Sequence, residues 1–457
     1  MNHPEPTADA TFGRIARRLL PLLFLSYIVA YLDRVNVGFA KLQMATELAW
    51  SDAVYGFGAG IFFLGYFLFE VPSNLLLQRV GARRWIARIM ISWGLISSAF
   101  AVVDRLPWGP LPAFFGVERV EFGFYALRLL LGLAEAGFFP GIILYLTYWF
   151  PSARRARTVA WFMTAIAAAN VIGAPLSGWI MEAFDGTTGW SGWRWLFLIE
   201  GIPSLIMGGV ILAALPDGPM SATWLTPPER QLVVDALAAD ADHATTSNVA
   251  HAPRSLREAM THRAVWALAF VYFAGTVSLY GVNFWMPTLI QDLGIDRSAY
   301  LHIGLLTAIP WGIAGVTMVV AGAHSDRTRE RRWHVAGALL VTAAGLTMLT
   351  LTGSTVVGAI TALAIIASGV LAFFATFWTI PTGFLQHSAA AAGIAWINSV
   401  GGLGGHFGPD LIGRVRTATG GASGALLTLA ALAVAGAIVV LWVTRRVTLP
   451  PQRSRER

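Results

Sequence analysis

Six ionisable residues stand inside long apolar stretches of the chain: Asp33, Arg34, Glu70, Arg128, Glu135 and Glu200, with Arg88 nearer one end of its stretch. A charge at membrane depth costs at least a few kcal/mol, so each is a candidate functional group by default. Together they have the chemistry to hold an anion and exchange a proton. Arg presents planar donors that match carboxylate oxygens in pairs, which Lys does not. A carboxylic acid in a dehydrated cavity stays neutral unless an Arg beside it favours the charged form. Arg128 and Glu135 are two helical turns apart, about 10 Å along one face, so both can face one cavity. If the helix of Arg34 enters at Leu19 and that of Arg128 enters from the other side near Phe122, the two lie about 22 Å and about 9 Å from their entry points. In a layer roughly 30 Å thick these depths nearly coincide. Two guanidinium groups at one level form a fork for a carboxylate, with Asp33 beside them and Glu135 deeper, towards the cytoplasm. The second half of the chain has neutral polar and aromatic groups in comparable stretches: Tyr272, Tyr280, Asn283, Trp285, Trp311, Trp378, Thr379, Asn398 and Ser399. Charge chemistry is therefore expected on one side of a cavity and shape recognition on the other.

The elements that position these groups must be membrane helices. Of 457 residues, 56% are hydrophobic and 12% charged, about half the charged fraction of a soluble domain. Apolar stretches near twenty residues recur from Leu19 to Val443, each long enough to cross a hydrocarbon core about 30 Å thick. Twelve spans are expected, centred near Ile28, Leu64, Trp93, Gly137, Ala168, Pro203, Ser278, Trp311, Gly345, Ser368, Val400 and Ala433. The first follows Arg14, Arg17 and Arg18 but runs past Tyr31, longer than the apolar core of a signal peptide, and is read as a retained helix. Twenty-two basic residues fall in the two tails and the connections around Arg83, Arg154, Arg257 and Arg331, against seven in the alternate connections. The positive-inside rule then puts both termini in the cytoplasm. The net charge of +7 follows from this asymmetry and does not call for a nucleic-acid partner.

Several chemistries are excluded. There is no cysteine, hence no disulfide, thiolate metal site or cysteine nucleophile. The single lysine, Lys41, is followed by Leu42, so no phosphate-cradling GxxxxGK[ST] loop exists and no nucleotide is expected to drive work. Neither an HExxH pair nor a GxSxG elbow is present. An enzyme is not expected, and neither is a cofactor or a bound metal.

Two self-similar pairs point to an internal duplication. GARRW at Gly81 to Trp85 matches SDRTRERRW at Ser325 to Trp333 in its arginine pair and tryptophan, and GAPLSG at Gly173 to Gly178 resembles GPDLIG at Gly408 to Gly413. The offset is smaller for the second pair because the third and fourth spans are joined by a long external connection, Asp104 to Glu121, that the second half lacks. The expected organisation is a cytoplasmic tail (1–18), a six-helix bundle (19–215), a cytoplasmic linker (216–262), a second six-helix bundle (263–444) and a cytoplasmic tail (445–457). Within the linker, a short amphipathic helix is expected near Glu229 to Leu237. The Ala- and Asp-rich stretch Ala236 to Ala252 reads mostly as flexible. Parallel six-helix halves rocking about a midplane site are one architecture of secondary transporters.

Five strings carry a family resemblance: YLDRVNVGFA (Tyr31 to Ala40), GYFLFEVPSN (Gly65 to Asn74), LRLLLGLAEAGFFPG (Leu127 to Gly141), WRWLFLIEGIPS (Trp193 to Ser204) and INSVGGLGG (Ile397 to Gly405). Over nearly its whole length the chain resembles the anion:cation symporter branch of the major facilitator superfamily, which contains tartrate, phthalate, hydroxyphenylacetate and sugar-acid permeases. It departs from the common pattern in the 104–121 connection and in Gln78, which stands where many members have an acidic residue. The resemblance implies an all-α fold of two pseudo-symmetric six-helix bundles in a bacterial inner membrane. It also implies roles: Asp33 and Glu135 in proton coupling, and Arg34, Arg128, Trp378 and Asn398 in substrate binding, joined by Tyr31, Tyr66 and Asn283.

The mechanism expected is proton symport of a small organic carboxylate by a chain working as a monomer. With Asp33 and Glu135 protonated, Arg34 and Arg128 are free to take the substrate carboxylate. When it leaves, each Arg re-pairs with a carboxylate and the proton departs. The plainer reading of the same four residues is a set of buried ion pairs that fix helix packing. Glu70 and Glu200 each precede a proline by two or three residues and can satisfy backbone freed there. Arg83, Arg84, Asp326, Arg327, Arg331 and Arg332 read as structural and gating latches. Trp378 can equally be a packing aromatic and Asn398 interhelical glue. Competing functions are a proton-coupled exporter of drugs or metabolites, whose glycine-proline motif GAPLSG superficially resembles, and a membrane sensor that binds an anion without moving it.

Overall fold

The computed structural model describes residues 7–246, 261–384 and 388–446, and their regular secondary structure is helical throughout. In chain order the first helices are α1 (Ala8–Val35), α2 (Val37–Glu47), α3 (Asp52–Val80), α4 (Ala82–Ala99), α5 (Leu111–Phe115), α6 (Arg119–Glu135), α7 (Phe138–Thr147), α8 (Ser152–Met163), α9 (Ala165–Ala183), α10 (Gly192–Ala214) and α11 (Pro227–Thr246). They are followed by α12 (Arg263–Gln291), α13 (Tyr300–Thr328), α14 (Arg332–Thr352), α15 (Val356–Phe377), α16 (Thr379–Phe384), α17 (Ser388–Gly402), α18 (Gly404–Thr419) and α19 (Ser423–Arg446).

Helix starts follow from local chemistry. Thr7, Ser51 and Thr355 each accept a hydrogen bond from a backbone N–H three residues on, satisfying a donor that the first turn leaves open. Prolines lie inside α1, α3, α9, α10, α12, α13 and α18. Helices in lipid tolerate this because neighbouring helices and hydroxyl side chains take up the freed backbone groups. Ser26, Thr276 and Thr376 bond back to the carbonyls of Leu22, Tyr272 and Ala372 at 2.8, 2.8 and 2.9 Å. Large apolar side chains such as Leu68, Val316, Val320 and Ile438 stay exposed, as a lipid-facing surface requires.

Ten helical stretches among the described residues are long and apolar enough to cross a membrane. In place of the fifth and eleventh expected spans stand the pairs α8–α9 and α17–α18, broken at Thr164 and Leu403. Their many Gly, Ala, Ser and Asn residues dilute the apolar run.

The chain divides into two compact units. The first holds residues 1–247 and 295–308, the second 248–294 and 309–457, so the division runs through α13. In the first unit α3 packs on α6, α4 on α10 and α1 on α9. The approach of α3 to α6 is backbone-close: a Cβ on Gly132 would collide with the Phe62 carbonyl, and one on Gly65 with that of Leu129. The first turns of α13 belong to this unit because Gly304 and Gly178 allow the same closeness with α9, where Glu182 accepts the Leu301 N–H at 3.0 Å. In the second unit α14 packs on α15 and α19, and α12 on α18 and α19, with Gly404 and Gly408 against the α12 backbone.

The linker differs from its reading in the sequence. The helix starting at Pro227 runs to Thr246, nine residues past Leu237, so the Ala- and Asp-rich stretch is helical that far; residues 247–252 lie outside the described residues. Composition had suggested flexibility, but alanine is the best helix former, and tertiary contacts hold this helix. Glu229 pairs with Arg14 at 3.0 Å, Asp240 accepts the Ser152 N–H and hydroxyl at 2.9 and 2.5 Å, and Val233 is buried.

Candidate functional site

The Gly132–Phe62 contact that draws α6 onto α3 also sets the centre of the site. With the backbones touching, the Arg128 side chain reaches across α3 and donates to the carbonyls of Gly58 and Ala59 at 3.3 and 3.0 Å. Its guanidinium lies 5.1 Å from the Phe62 ring centre. Arg34, in the last turn of α1, comes to the same ring at 5.6 Å and also stands over Tyr31 and Tyr66, at 5.4 and 6.0 Å. Two guanidinium groups thus share one aromatic ring, an arrangement the ring's negative face favours.

Glu135 completes the group. It is the last residue of α6; Gly137, at φ 85°, turns the chain into α7, a conformation that suits glycine. The carboxylate forms an ion pair with Arg34 across the two helices. Both are buried, Glu135 completely. Removing either partner would leave a bare charge in an apolar interior, which typically costs 3–5 kcal/mol.

Asp33 goes elsewhere. Successive helix residues point about 100° apart, so while Arg34 turns to α3 and α6, Asp33 turns to α4 and α10. There it accepts the hydroxyl hydrogens of Ser97 at 2.7 Å and Ser204 at 2.6 Å, at zero exposure. The sequence reading had put it beside the two arginines; its hydrogen-bond partners are serines, which in apolar helices carry no signal at the sequence level. Glu200 is also buried and accepts the Ser177 hydroxyl at 2.7 Å. The Glu70 side chain is buried, and its carbonyl, two residues before Pro72, accepts the Asn74 amide at 3.0 Å. Arg88 lies over the Trp85 ring at 4.0 Å.

In the second unit Tyr272 and Trp378, with three phenylalanines, build an aromatic wall. Tyr272 is surrounded by Phe373, Phe374, Phe377 and Trp378, with Trp378 at 4.9 Å. Gly401 gives the tyrosine ring its room. Trp378 and Asn398 are half-buried and Asn283 is buried. Trp285 donates to the Pro409 carbonyl at 3.1 Å. Phe62, Phe373, Phe374 and Phe377 are the residues whose centrality is clear only in three dimensions: each sits in an aromatic run where composition singles out none.

The residues read as latches lie at two helix starts. In the first turn of α4, the Asp217 carboxylate accepts the Arg83 backbone N–H at 2.9 Å, beside Gly81 at φ 96°, while the Arg83 and Arg84 side chains are exposed. Before α14, Arg331 pairs with Asp326 at 2.6 Å and donates to Ser325 at 2.9 Å. Arg332 lies over Trp333, and Arg327 is exposed. At the far end of the first unit, Arg194 bridges Asp104 at 2.7 Å and Glu47 at 2.9 Å. The Arg194 hydrogen bonds hold the Asp104 carboxyl below its ordinary range.

Comparison with known proteins agrees with this architecture. Residues 23–409 match the Major Facilitator Superfamily. The chain is 45% identical over 433 residues to a putative tartrate transporter of Agrobacterium vitis, covering 94% of both chains. It is 38% identical over 427 residues to a quinolone resistance transporter of Acinetobacter baumannii, covering 92% of both. Among solved structures, the xylose transporter of E. coli in its inward-open form superposes with a TM-score of 0.71 at 14% identity, over 97% of this chain and 98% of that one.

Proposed function

The chain belongs to the major facilitator superfamily, as a multi-pass inner-membrane transporter, and from that premise we propose that it imports a small organic carboxylate together with protons. The observation that carries this reading is the Arg34–Glu135 ion pair beside Arg128 on the Phe62 ring. In this pair Glu135 is an internal stand-in for the substrate: a carboxylate already held by one guanidinium of a two-guanidinium receptor. A substrate carboxylate competes for Arg34, and the displaced Glu135, buried and without its counter-charge, is stabilised by taking a proton. Loss of the substrate reverses both steps. Anion and proton therefore enter and leave together without a covalent intermediate. The tartrate transporter relative, at 45% identity, supports a carboxylate of that kind, and the Tyr272–Trp378 wall is the proposed source of shape selectivity.

The test is external pH in a weakly buffered suspension of producing cells, pulsed with sugar acids, dicarboxylates and aromatic acids. Each acid is repeated with a protonophore and with the Arg34→Gln variant. The expected result is alkalinisation with one class of acid, lost under both controls. A second reading, proton-coupled export, has support from the quinolone resistance relative. It predicts acidification outside when substrate is loaded inside. Silence across the panel together with measurable binding would favour sodium coupling or the sensor.

A further inference from the structure

Of the carboxylates that the first unit buries and the exchange at Arg34 does not use, two stand near each other. Asp33 and Glu200 are 0% and 3% exposed, and among the described residues neither forms an ion pair with a basic side chain. They adjoin. Ser204, which donates to Asp33, lies one turn along α10 from Glu200, about 6 Å up the same helix. Ser177 on α9 donates to Glu200 from the other side, and Ser97 on α4 donates to Asp33. The fully buried Asn36 places its side-chain amide beside Glu200 without closing a hydrogen bond to any described residue. The second Glu200 oxygen likewise accepts no hydrogen bond from a described residue.

Charge balance gives the cluster a meaning. Two bare carboxylates this close, away from water, are too costly to persist without a compensating positive charge. The basic side chains on the surrounding helices are committed elsewhere. Arg34 is with Glu135, Lys41 of α2 with Asp52, Arg194 of α10 with Glu47 and Asp104, and Arg88 of α4 is over Trp85. The nearest acidic group of α9, Glu182, caps Leu301. What is left is a lining of carboxylate, hydroxyl and amide oxygens, the donor set for a hard monovalent cation.

We propose that a single monovalent cation, a proton or Na+, binds between Asp33 and Glu200, at a site distinct from the Arg34–Glu135 exchange. It adds Glu200, Asn36 and Ser177 to the coupling machinery. That the bound cation travels with the acid rests on the transport reading above; that it binds does not.

Binding is tested on the purified full-length protein. In Na+-free medium, potentiometric titration between about pH 5 and pH 9 compares native protein with Glu200→Gln. If the cation is a proton, the native protein binds one more proton than the variant across that range. If it is Na+, radioactive 22Na+ binds at one per chain and the variant loses it. Superimposable titrations with no 22Na+ bound by either protein overturn the site. Ser177→Ala, a smaller change, guards against misfolding of the first variant. It shifts the midpoint or weakens 22Na+ binding if the site exists, and an unchanged curve counts against it. In proteoliposomes, Glu200→Gln then retains counterflow of the acid while the cation-to-acid ratio falls by one. Absent counterflow in the native protein would remove the transport reading and leave the titration standing, whereas an unchanged ratio would remove the cluster from coupling.

Discussion

The two units spend their buried polar groups differently. The first buries Asp33, Arg34, Glu70, Arg128, Glu135 and Glu200 inside its helices; the buried polar side chains within the described helices of the second are Thr, Ser, Asn and His. Its largest feature is instead the Tyr272 cluster of rings. The two units thus differ in the residue types they bury. Charge is a strong and unselective attractor for any carboxylate, while an aromatic wall discriminates by shape and area at a small energetic cost. On the proposed function, this division would let one half be tuned for specificity without disturbing coupling.

The comparison is broken most directly at Arg128 and Arg34. Replacing either with Gln removes a charged partner of the anion from a buried site, typically 2–5 kcal/mol, so acid affinity is expected to fall at least about thirtyfold. Binding measured in detergent checks this, and retained substrate-induced stabilisation in Arg128→Gln would count against the carboxylate fork. Next in size is Glu135→Gln. It removes the displaced proton acceptor, so accumulation against a gradient disappears while exchange of internal for external acid persists. Undiminished concentrative uptake would remove Glu135 from the proton path. Trp378→Ala should act on the other half of the comparison alone. Affinities shift several-fold and the order of preference among acids changes, while proton dependence does not; an unchanged order returns Trp378 to packing.

The smallest effect concerns the Arg194 bridge between Asp104 and Glu47. Asp104 is held below its usual range by Arg194, so its folded value is depressed relative to the unfolded chain. The stabilisation is present at neutral pH and fades as pH falls through the depressed value. Asp104 is partly exposed, so screening limits the effect to less than about 1 kcal/mol. Thermal melts of Asp104→Asn and native protein should differ at neutral pH and converge in acid.

Much of this was legible in the residues, because a charge inside an apolar run is conspicuous and its cost makes it meaningful. Arg34, Arg128 and Glu135 were found that way. Their pairing was not. Arg128 and Glu135 share a helix face on spacing alone, yet Glu135 closes on Arg34, because α6 stops there and glycine turns the chain. Asp33 was placed with the arginines by adjacency, but one residue along a helix is about 100° around it, and the serines that receive it look like any others. The extension of α11 to Thr246 is not legible in composition, because it depends on contacts such as Ser152 with Asp240. The passage of the unit boundary through α13 depends on Gly178 and Gly304 meeting across helices, which no local pattern encodes.

Proton uptake on acid binding tests the central exchange most directly. It is measured by titration calorimetry in buffers of different ionisation enthalpy, on native protein and Glu135→Gln. If the substrate carboxylate displaces Glu135 from Arg34, the protons taken up per acid bound fall by one in the variant. Equal uptake in both proteins would mean that Glu135 does not exchange with the substrate, and the account of coupling would be wrong.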